Sequence, residues 1–180
     1  MDSRDWKLDF SMHILLAHAL KSEAGTIRQH YPQAKSLSRG SGQELIQLEK
    51  NLHLLRTGIG LELSKRAMLT YVDPDKLDLI IHFGVSGSLS EQLPLMQIIQ
   101  GTKFSCADKP DLEIAPPEIF GDMSIPVAPF YSSLKAITDE TTRESTIARG
   151  AEAVDMESYS VARYCQARDL PLLAIRCISD

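Results

Sequence analysis

The sequence predicts an α/β fold. Strand-like apolar runs alternate with helix-like pieces along the chain, and Gly, Pro and Asp residues separate them. Residues 77–83 and 172–178 are apolar almost throughout, which is typical of strands buried on both faces of a mostly parallel sheet. The chain has 180 residues, enough for one core, so we expect residues 1–180 to form a single domain.

The elements follow from periodicity and from the residues that interrupt it. Proline ends the first helix at Pro32, and Asp73-Pro74-Asp75 ends the second. Residues 105–131 are rich in proline and lack periodicity, which predicts a long loop. The predicted strands are 12–19, 43–48, 52–57, 77–83, 93–100 and 172–178, and the predicted helices are 21–31, 62–71 and 158–168.

The last 28 residues carry the strongest chemical pattern: the acidic segment 154–157, then a helix, then a strand that ends in Ser179-Asp180. Ligands of open α/β sheets bind at the carboxyl ends of the strands, so a carboxylate there is a candidate acid or base. The alternative interpretation is a helix cap or a solvated terminus.

Two further segments are candidates for ligand contact. Gly84-Val85-Ser86-Gly87-Ser88-Leu89 follows a buried strand, where glycines let a backbone approach a ligand, although such glycines are more often simple turn residues. Glu23 follows the first strand near a helix start. Acids in that position are commonly solvated and favour the helix dipole.

These motifs resemble those of the purine nucleoside phosphorylase and nucleosidase superfamily. Val154-Asp155-Met156-Glu157 and Ile178-Ser179-Asp180 are similar to its V-(D/E)-M-E and I-S-D segments, and Thr57-Gly58-Ile59-Gly60 is similar to its S-G-I-G turn. The nearest resemblance is to 5'-methylthioadenosine/S-adenosylhomocysteine nucleosidase. It implies a single-domain three-layer αβα fold with a central mixed, partly barrel-like sheet. Members continue into a C-terminal helix, which we expect this chain to lack.

The resemblance also implies the reaction and the roles of the site residues. A nucleosidase hydrolyses the N-glycosidic bond of a purine (thio)nucleoside and releases the free base. Glu23 would then activate water, Asp180 would protonate the leaving base, and Glu157 would accept hydrogen bonds from the ribose. The remaining substrate-binding residues implied by the resemblance are Met156, Val85, Ser86, Gly87, Asp155 and Ser179.

Other activities remain open at this stage. A phosphorylase is disfavoured because the R-x-G-S and G-D-P-x-x-R phosphate segments are not found, whereas the G-V-S-G-S turn is as close to futalosine hydrolases. The segment 137–141 lacks the aromatic residue that stacks on the purine in the family. Because the chain ends at Asp180, impaired activity or a non-catalytic nucleoside-binding relative is the remaining alternative.

Composition and charge exclude other classes of protein. The net charge is −5 with mixed signs, which indicates a small-molecule substrate rather than nucleic acid or an anionic membrane. Three cysteines and five histidines show no ligand spacing, so no metal or other cofactor is expected. Arg176 interrupts a buried strand and needs an anionic partner, for which Asp155 is the candidate. We expect a cytoplasmic protein, and the resemblance implies a homodimer.

Overall fold

The computed structural model describes residues 11–117 and 124–180. Its strands are β1 (Ile14–His18), β2 (Lys35–Gly40), β3 (Gln43–Glu49), β4 (Leu52–Arg56), β5 (Leu79–Ser88), β6 (Ile98–Ser105), β7 (Leu112–Glu113), β8 (Val127–Ser132), β9 (Ala153–Asp155) and β10 (Leu172–Ile178). Its α-helices are α1 (Gly25–His30), α2 (Leu61–Tyr71), α3 (Glu140–Ile147) and α4 (Ser158–Gln166), with 3-10 helices at Lys21–Ala24 and Pro74–Lys76.

The strands form one mixed sheet that closes on itself at one end. β1 lies between β4 and β5 and is parallel to both, and β3 and β2 extend that edge in antiparallel fashion. From β5 the pairing continues through β9, β8, β6 and β10 and returns to β5. This ring of five strands is the partial barrel, so the predicted mixed, partly barrel-like α/β fold is confirmed.

Alternating side chains bury the two faces of the sheet. Leu15 and Leu55 face the main core, which also contains α2 and α4. Leu54 faces the opposite side, where it packs in a smaller cluster with Ala24 and Ile46. Helix α4 is buried on nearly all sides because it lies against both α2 and the sheet. None of the helices in the described ranges is long and apolar enough to cross a membrane.

Several predicted elements were placed correctly and others were wrong. The first three predicted strands and the last one are present with small shifts at their ends, and the fourth, predicted at 77–83, begins at Leu79 and continues to Ser88. The strand predicted at 93–100 begins instead at Ile98, and the loop predicted at 105–131 contains β7 and β8, although its residues 118–123 lie outside the described ones. Sequence analysis missed β2, β9 and α3.

The glycine segment after the predicted strand 77–83 is not a turn. β5 continues through it to Ser88, because β10 pairs with it as far as Ser86 and β9 pairs with Gly87 and Ser88. A Cβ atom at Gly84 would lie 2.6 Å from Oε1 of Glu23. Glycine at position 84 therefore leaves room for the Glu23 carboxylate and does not form a turn.

Candidate functional site

A cavity of about 380 Å³ lies between α2 and α4, but the predicted site residues surround a different one, of about 330 Å³, at the carboxyl ends of the parallel strands. Because β1, β4, β5 and β10 run parallel, the residues that follow them meet at one edge. The lining residues are Ala19, Leu20, Glu23, Ile59, Val85, Ser86, Gly87, Ser133, Ala136, Ile137, Val154, Asp155, Met156, Glu157, Ser179 and Asp180. All nine residues predicted from the sequence are among them, although their roles remain predictions.

Glu23 is held by three backbone N–H groups. Its Oε2 accepts hydrogen bonds from the N–H groups of Ala19 at 2.9 Å and Leu20 at 2.7 Å, and its Oε1 accepts one from Val85 at 3.2 Å. All three partners are donors, and a carboxylate is an acceptor-only group. The strand end of β1 and the middle of β5 thus fix one anionic side chain at the cavity wall.

Glu157 also lines the cavity and lies between β9 and α4. Its Oε1 accepts a hydrogen bond from the N–H of Gly60 at 2.7 Å, and Oε2 has no hydrogen-bond partner within residues 11–117 and 124–180. Burial raises the pKa of Glu157 to about 7, and the negative charge of Asp155 adds to the shift. This carboxyl group therefore changes its charge near neutral pH and leaves one oxygen available to a ligand.

The Gly60 donor depends on the turn that precedes α2. Gly58 and Gly60 have φ values of 81° and 97°, a region that L-residues with a Cβ rarely occupy. Gly60 also caps α2, so its N–H points away from the helix toward Glu157. The Thr57–Gly60 motif found in the sequence thus contributes a fixed backbone donor to the site.

Asp155 forms the buried support of the site. Its Oδ2 accepts hydrogen bonds from Nε of Arg176 at 3.1 Å, from Nη2 of Arg176 at 2.9 Å and from the hydroxyl of Ser158. Its Oδ1 accepts from the Ser132 hydroxyl at 2.6 Å and from the N–H of Glu157 at 3.3 Å. The predicted pairing of Arg176 with Asp155 is confirmed. Because protein donors occupy both oxygens, Asp155 supports the cavity wall from behind.

Asp180 follows β10 and is exposed to the cavity. Its backbone C=O accepts a hydrogen bond from the N–H of Ser88 at 2.8 Å, which ties the residue to β5. The Ser179 hydroxyl donates to Oδ1 of Asp180 at 2.6 Å. A Cβ atom at Gly87 would lie 3.4 Å from Oδ2 of Asp180, so the carboxylate lies directly over the β5 backbone.

The rest of the described wall is apolar apart from three serines, and it carries no positively charged side chain. Leu20, Ile59 and Val85 are 39%, 47% and 46% exposed, and Met156 lies beside them. Among the described residues that line the cavity, none is a lysine, arginine, histidine or aromatic residue. Within the described ranges, no group of three or more His, Cys, Asp or Glu residues could hold a metal ion.

Sequence analysis missed two buried histidines that lie behind the cavity. Nδ1 of His18 lies 2.8 Å from the C=O of Leu20 and 4.0 Å from Oε2 of Glu23, and the ring stacks on Phe83. Burial lowers the pKa of His18. His82 lies against Arg176. Both histidines occur in buried strands, and that position was the signal available in the sequence.

Comparison with known proteins agrees with this fold. Residues 128–180 match the phosphorylase superfamily. Futalosine hydrolase of Helicobacter pylori is similar in structure, with a TM-score of 0.82 and 18% identity over 95% of this chain and 85% of that chain. The 5'-methylthioadenosine/S-adenosylhomocysteine nucleosidase of Neisseria meningitidis, in complex with methylthio-immucillin-A, has a TM-score of 0.81 and 18% identity over 93% and 85% of the two chains.

A third similar structure is the 5'-methylthioadenosine/S-adenosylhomocysteine nucleosidase (MTAN) of Helicobacter pylori, with a TM-score of 0.79 and 19% identity over 93% of this chain and 88% of that chain. No curated protein sequence matches the chain. The resemblance inferred from the motifs is therefore confirmed: the chain has the fold of these nucleosidases, and its residues 128–180 match the phosphorylase superfamily.

Proposed function

We propose that the protein is a nucleosidase that hydrolyses the N-glycosidic bond of a purine (thio)nucleoside and releases the free base. The observation that carries this proposal is that Glu23, Glu157 and Asp180, which lie on three distant segments of the chain, surround one cavity. Cleavage of this bond builds positive charge on the sugar and negative charge on the base. Three separate carboxyl groups suit the three tasks of activating water, holding the sugar and protonating the base.

The bond between the ribose C1' and the purine nitrogen breaks, and its electron pair leaves with the base. Asp180 donates a proton to N7 of the base, and the oxygen of a water molecule bonds to C1'. Glu23 accepts a proton from that water, so base, sugar and enzyme end with balanced charge.

Glu157 and Met156 position the sugar in this scheme. Oε1 of Glu157 is held by Gly60, while Oε2 can accept hydrogen bonds from the ribose hydroxyls. Met156 supplies an apolar contact beside it, and Val85, Ser86 and Gly87 contribute the part of the wall formed by β5. Asp155 keeps Glu157 in place through the N–H of that residue, and Ser179 orients Asp180.

The charge of the cavity favours water over phosphate as the acceptor of the sugar. A phosphorylase must surround a phosphate anion with cationic or backbone donors. No described lysine, arginine or histidine lines this cavity, and the backbone N–H groups of Ala19, Leu20 and Val85 are already occupied by Glu23. Phosphate would therefore meet carboxylates without compensating donors.

The candidate substrates are 5'-methylthioadenosine, S-adenosylhomocysteine and futalosine. The exposed apolar side chains of Leu20, Ile59 and Val85 offer a surface to an apolar 5' substituent, which favours 5'-methylthioadenosine over the substrates whose 5' groups are charged. We also propose that the protein works in the cytoplasm as a homodimer, with residues 1–180 forming one domain.

The decisive test measures free base released from these nucleosides and from inosine, with and without phosphate. We expect release that does not require phosphate and that falls at least 100-fold in Glu23→Gln, the range typical of a lost general base. Glu49→Gln is the matched control, because Glu49 is an exposed residue at the end of β3 and does not line the cavity.

Thermal unfolding must accompany this assay. In Glu23→Gln the new amide NH2 group must face at least one of the backbone N–H donors, which costs about 1–3 kcal/mol of stability. Folded Glu23→Gln protein with wild-type activity would contradict the role of Glu23. Folded wild-type protein that binds nucleosides and releases no base would instead identify a non-catalytic binding protein, and release only with phosphate would identify a phosphorylase.

A further inference from the structure

The network behind Glu157 ends on a buried histidine. We propose that His82 is a positioning residue of the site: it holds the guanidinium of Arg176, which through Asp155 fixes the peptide that carries Glu157 toward the ribose hydroxyls. This inference rests on the proposed function. It assigns to the site a residue that does not line the cavity and cannot touch the substrate.

The contact between His82 and Arg176 joins neighbouring strands. His82 on β5 is 1% exposed and Arg176 on β10 is 2% exposed. Nη2 of Arg176 lies 3.0 Å from Nδ1 and 3.1 Å from Nε2 of His82, and Nη1 donates to the backbone C=O of His82 at 3.1 Å. Nη2 has two protons and also contacts Asp155 and the Ser158 hydroxyl, so the hydrogen bond that it donates to the unprotonated ring nitrogen of His82 is a shared one.

The Arg176 guanidinium in turn fixes the side chain of Asp155, which holds the peptide that follows it. Arg176 contacts Oδ2 of Asp155 with both Nε and Nη2, and its Nη2 also lies 2.7 Å from the Ser158 hydroxyl. Asp155 in turn accepts hydrogen bonds from the N–H groups of Glu157 and Ser158. A shift of the Arg176 side chain would therefore displace the backbone of Glu157.

The role of His82 requires an uncharged ring. A neutral imidazole keeps one acceptor nitrogen, whereas a protonated ring has only donors and would repel the guanidinium. The charged or titratable groups that act on it are Arg176 from β10 and His18 from β1. Asp155 from β9 contacts Arg176, and Glu23 from the 3-10 helix lies 4.0 Å from His18. Burial, followed by the charges of Arg176 and His18, holds the pKa of His82 well below 6.5, so the acceptor persists at neutral pH.

A histidine that merely fills the core would behave differently in an experiment. Its replacement would lower the amount of folded protein but would affect all substrates of the folded fraction alike. A residue that aims Glu157 at the ribose must instead affect recognition of the ribose hydroxyls. The ratio of kcat/KM between a ribonucleoside and its 2'-deoxy and 3'-deoxy counterparts separates these two roles, because the concentration of folded enzyme cancels in the ratio.

We expect the wild type to prefer the ribonucleoside, and His82→Leu to reduce that preference at least tenfold, as expected when a fixed hydrogen-bond acceptor loses its position. His82→Gln keeps an amide oxygen that can accept from Arg176 and should retain the wild-type ratio to within about threefold. His53→Leu is the matched control, since His53 lies on β4 at the opposite end of the sheet from the site.

Each outcome bears on the inference. An unchanged ratio in folded His82→Leu overturns it, as does a His82→Gln variant that loses the preference as fully as His82→Leu. If His82→Leu does not fold, His82→Asn, whose shorter amide does not reach Arg176, is expected to show the same loss. If the wild type releases no base, the proposed function fails, and the ratio of the two dissociation constants then tests the inference with the same expectations.

Discussion

The raised pKa of Glu157 predicts that the free energy of unfolding falls as the pH rises from 4.5 to about 7 and stays low above that range. The folded protein keeps Glu157 protonated up to a pH of about 7, whereas the unfolded chain ionises it near its ordinary value of 4.5. The folded state therefore binds more protons between these two values, and stability falls as the pH rises through that window. Below 4.5 the carboxyl is neutral in both states and contributes no penalty.

The size of this effect follows from the shift itself. One pKa unit corresponds to about 1.4 kcal/mol, so raising the pKa from 4.5 to about 7 costs about 3 kcal/mol once the group is ionised in both states. Glu157→Gln removes the charge and keeps a carbonyl oxygen for the N–H of Gly60. We expect it to raise the free energy of unfolding by about 3 kcal/mol at pH 8 and by about 1 kcal/mol or less at pH 5.

Urea denaturation at pH 5 and pH 8 measures this difference. The midpoint should move with little change in the m-value, because the substitution does not alter the surface exposed on unfolding. Glu49→Gln, in an exposed position, should change stability by less than about 0.5 kcal/mol at either pH. Equal changes at the two pH values, or a less stable Glu157→Gln protein at pH 8, would refute the reasoning about burial and the charge of Asp155.

Two other substitutions test the support of the site. Arg176→Met leaves the buried Asp155 carboxylate without its cation and should lower the free energy of unfolding by about 3–5 kcal/mol, measured by urea denaturation. The double variant with Asp155→Asn removes the unpaired charge and keeps an amide oxygen for the neighbouring donors, so it should recover part of this loss; no recovery would contradict the ion-pair explanation. Gly84→Ala would place a Cβ 2.6 Å from Oε1 of Glu23, so base release should fall at least tenfold while stability falls by only about 1 kcal/mol, the value of one displaced hydrogen bond. Gly25→Ala is the control for Gly84→Ala, because a Cβ at Gly25 meets no atom within 4 Å. Full activity in Gly84→Ala would show that catalysis does not require the observed position of the Glu23 carboxylate.

The sequence predicted the structure correctly where one short segment, residues 157–180, contains both the helix and strand patterns and the candidate site residues. The helix and strand after Glu157 were predicted with nearly correct bounds, because α4 shows a clear buried face and β10 is a continuous apolar run. Asp180 was predicted to lie at the carboxyl end of a buried strand, and it does so. Parallel pairing brings Glu23, after β1, and Asp180, after β10, to one edge of the sheet. Val85, Ser86 and Gly87 reach the same cavity from within β5, and the segment 155–157 reaches it through the pairing of β9 with β5.

The errors have a different physical origin. Glycine signals a turn in local sequence, but pairing with β9 and β10 keeps Gly84 and Gly87 extended in β5. Strand β2 is exposed along its length and β9 has only three residues, so neither shows an apolar pattern. The contact of His82 with Arg176 joins residues that are far apart in sequence, and no local spacing predicts it.

The energetic cost of these features is itself evidence that the cavity has a function. A buried carboxyl with a pKa near 7 destabilises the ionised fold, and a buried ion pair such as that of Arg176 and Asp155 contributes little net stability compared with apolar residues of similar volume. Folding alone would favour neutral side chains at Glu157 and Asp155. Local conflicts with stability of this kind concentrate where a protein binds or transforms a ligand. The buried carboxyl of Glu157 and the buried ion pair of Asp155 both lie at or directly behind the cavity that Glu23 and Asp180 also line. This arrangement is expected if the site stabilises a positive charge that develops on a sugar.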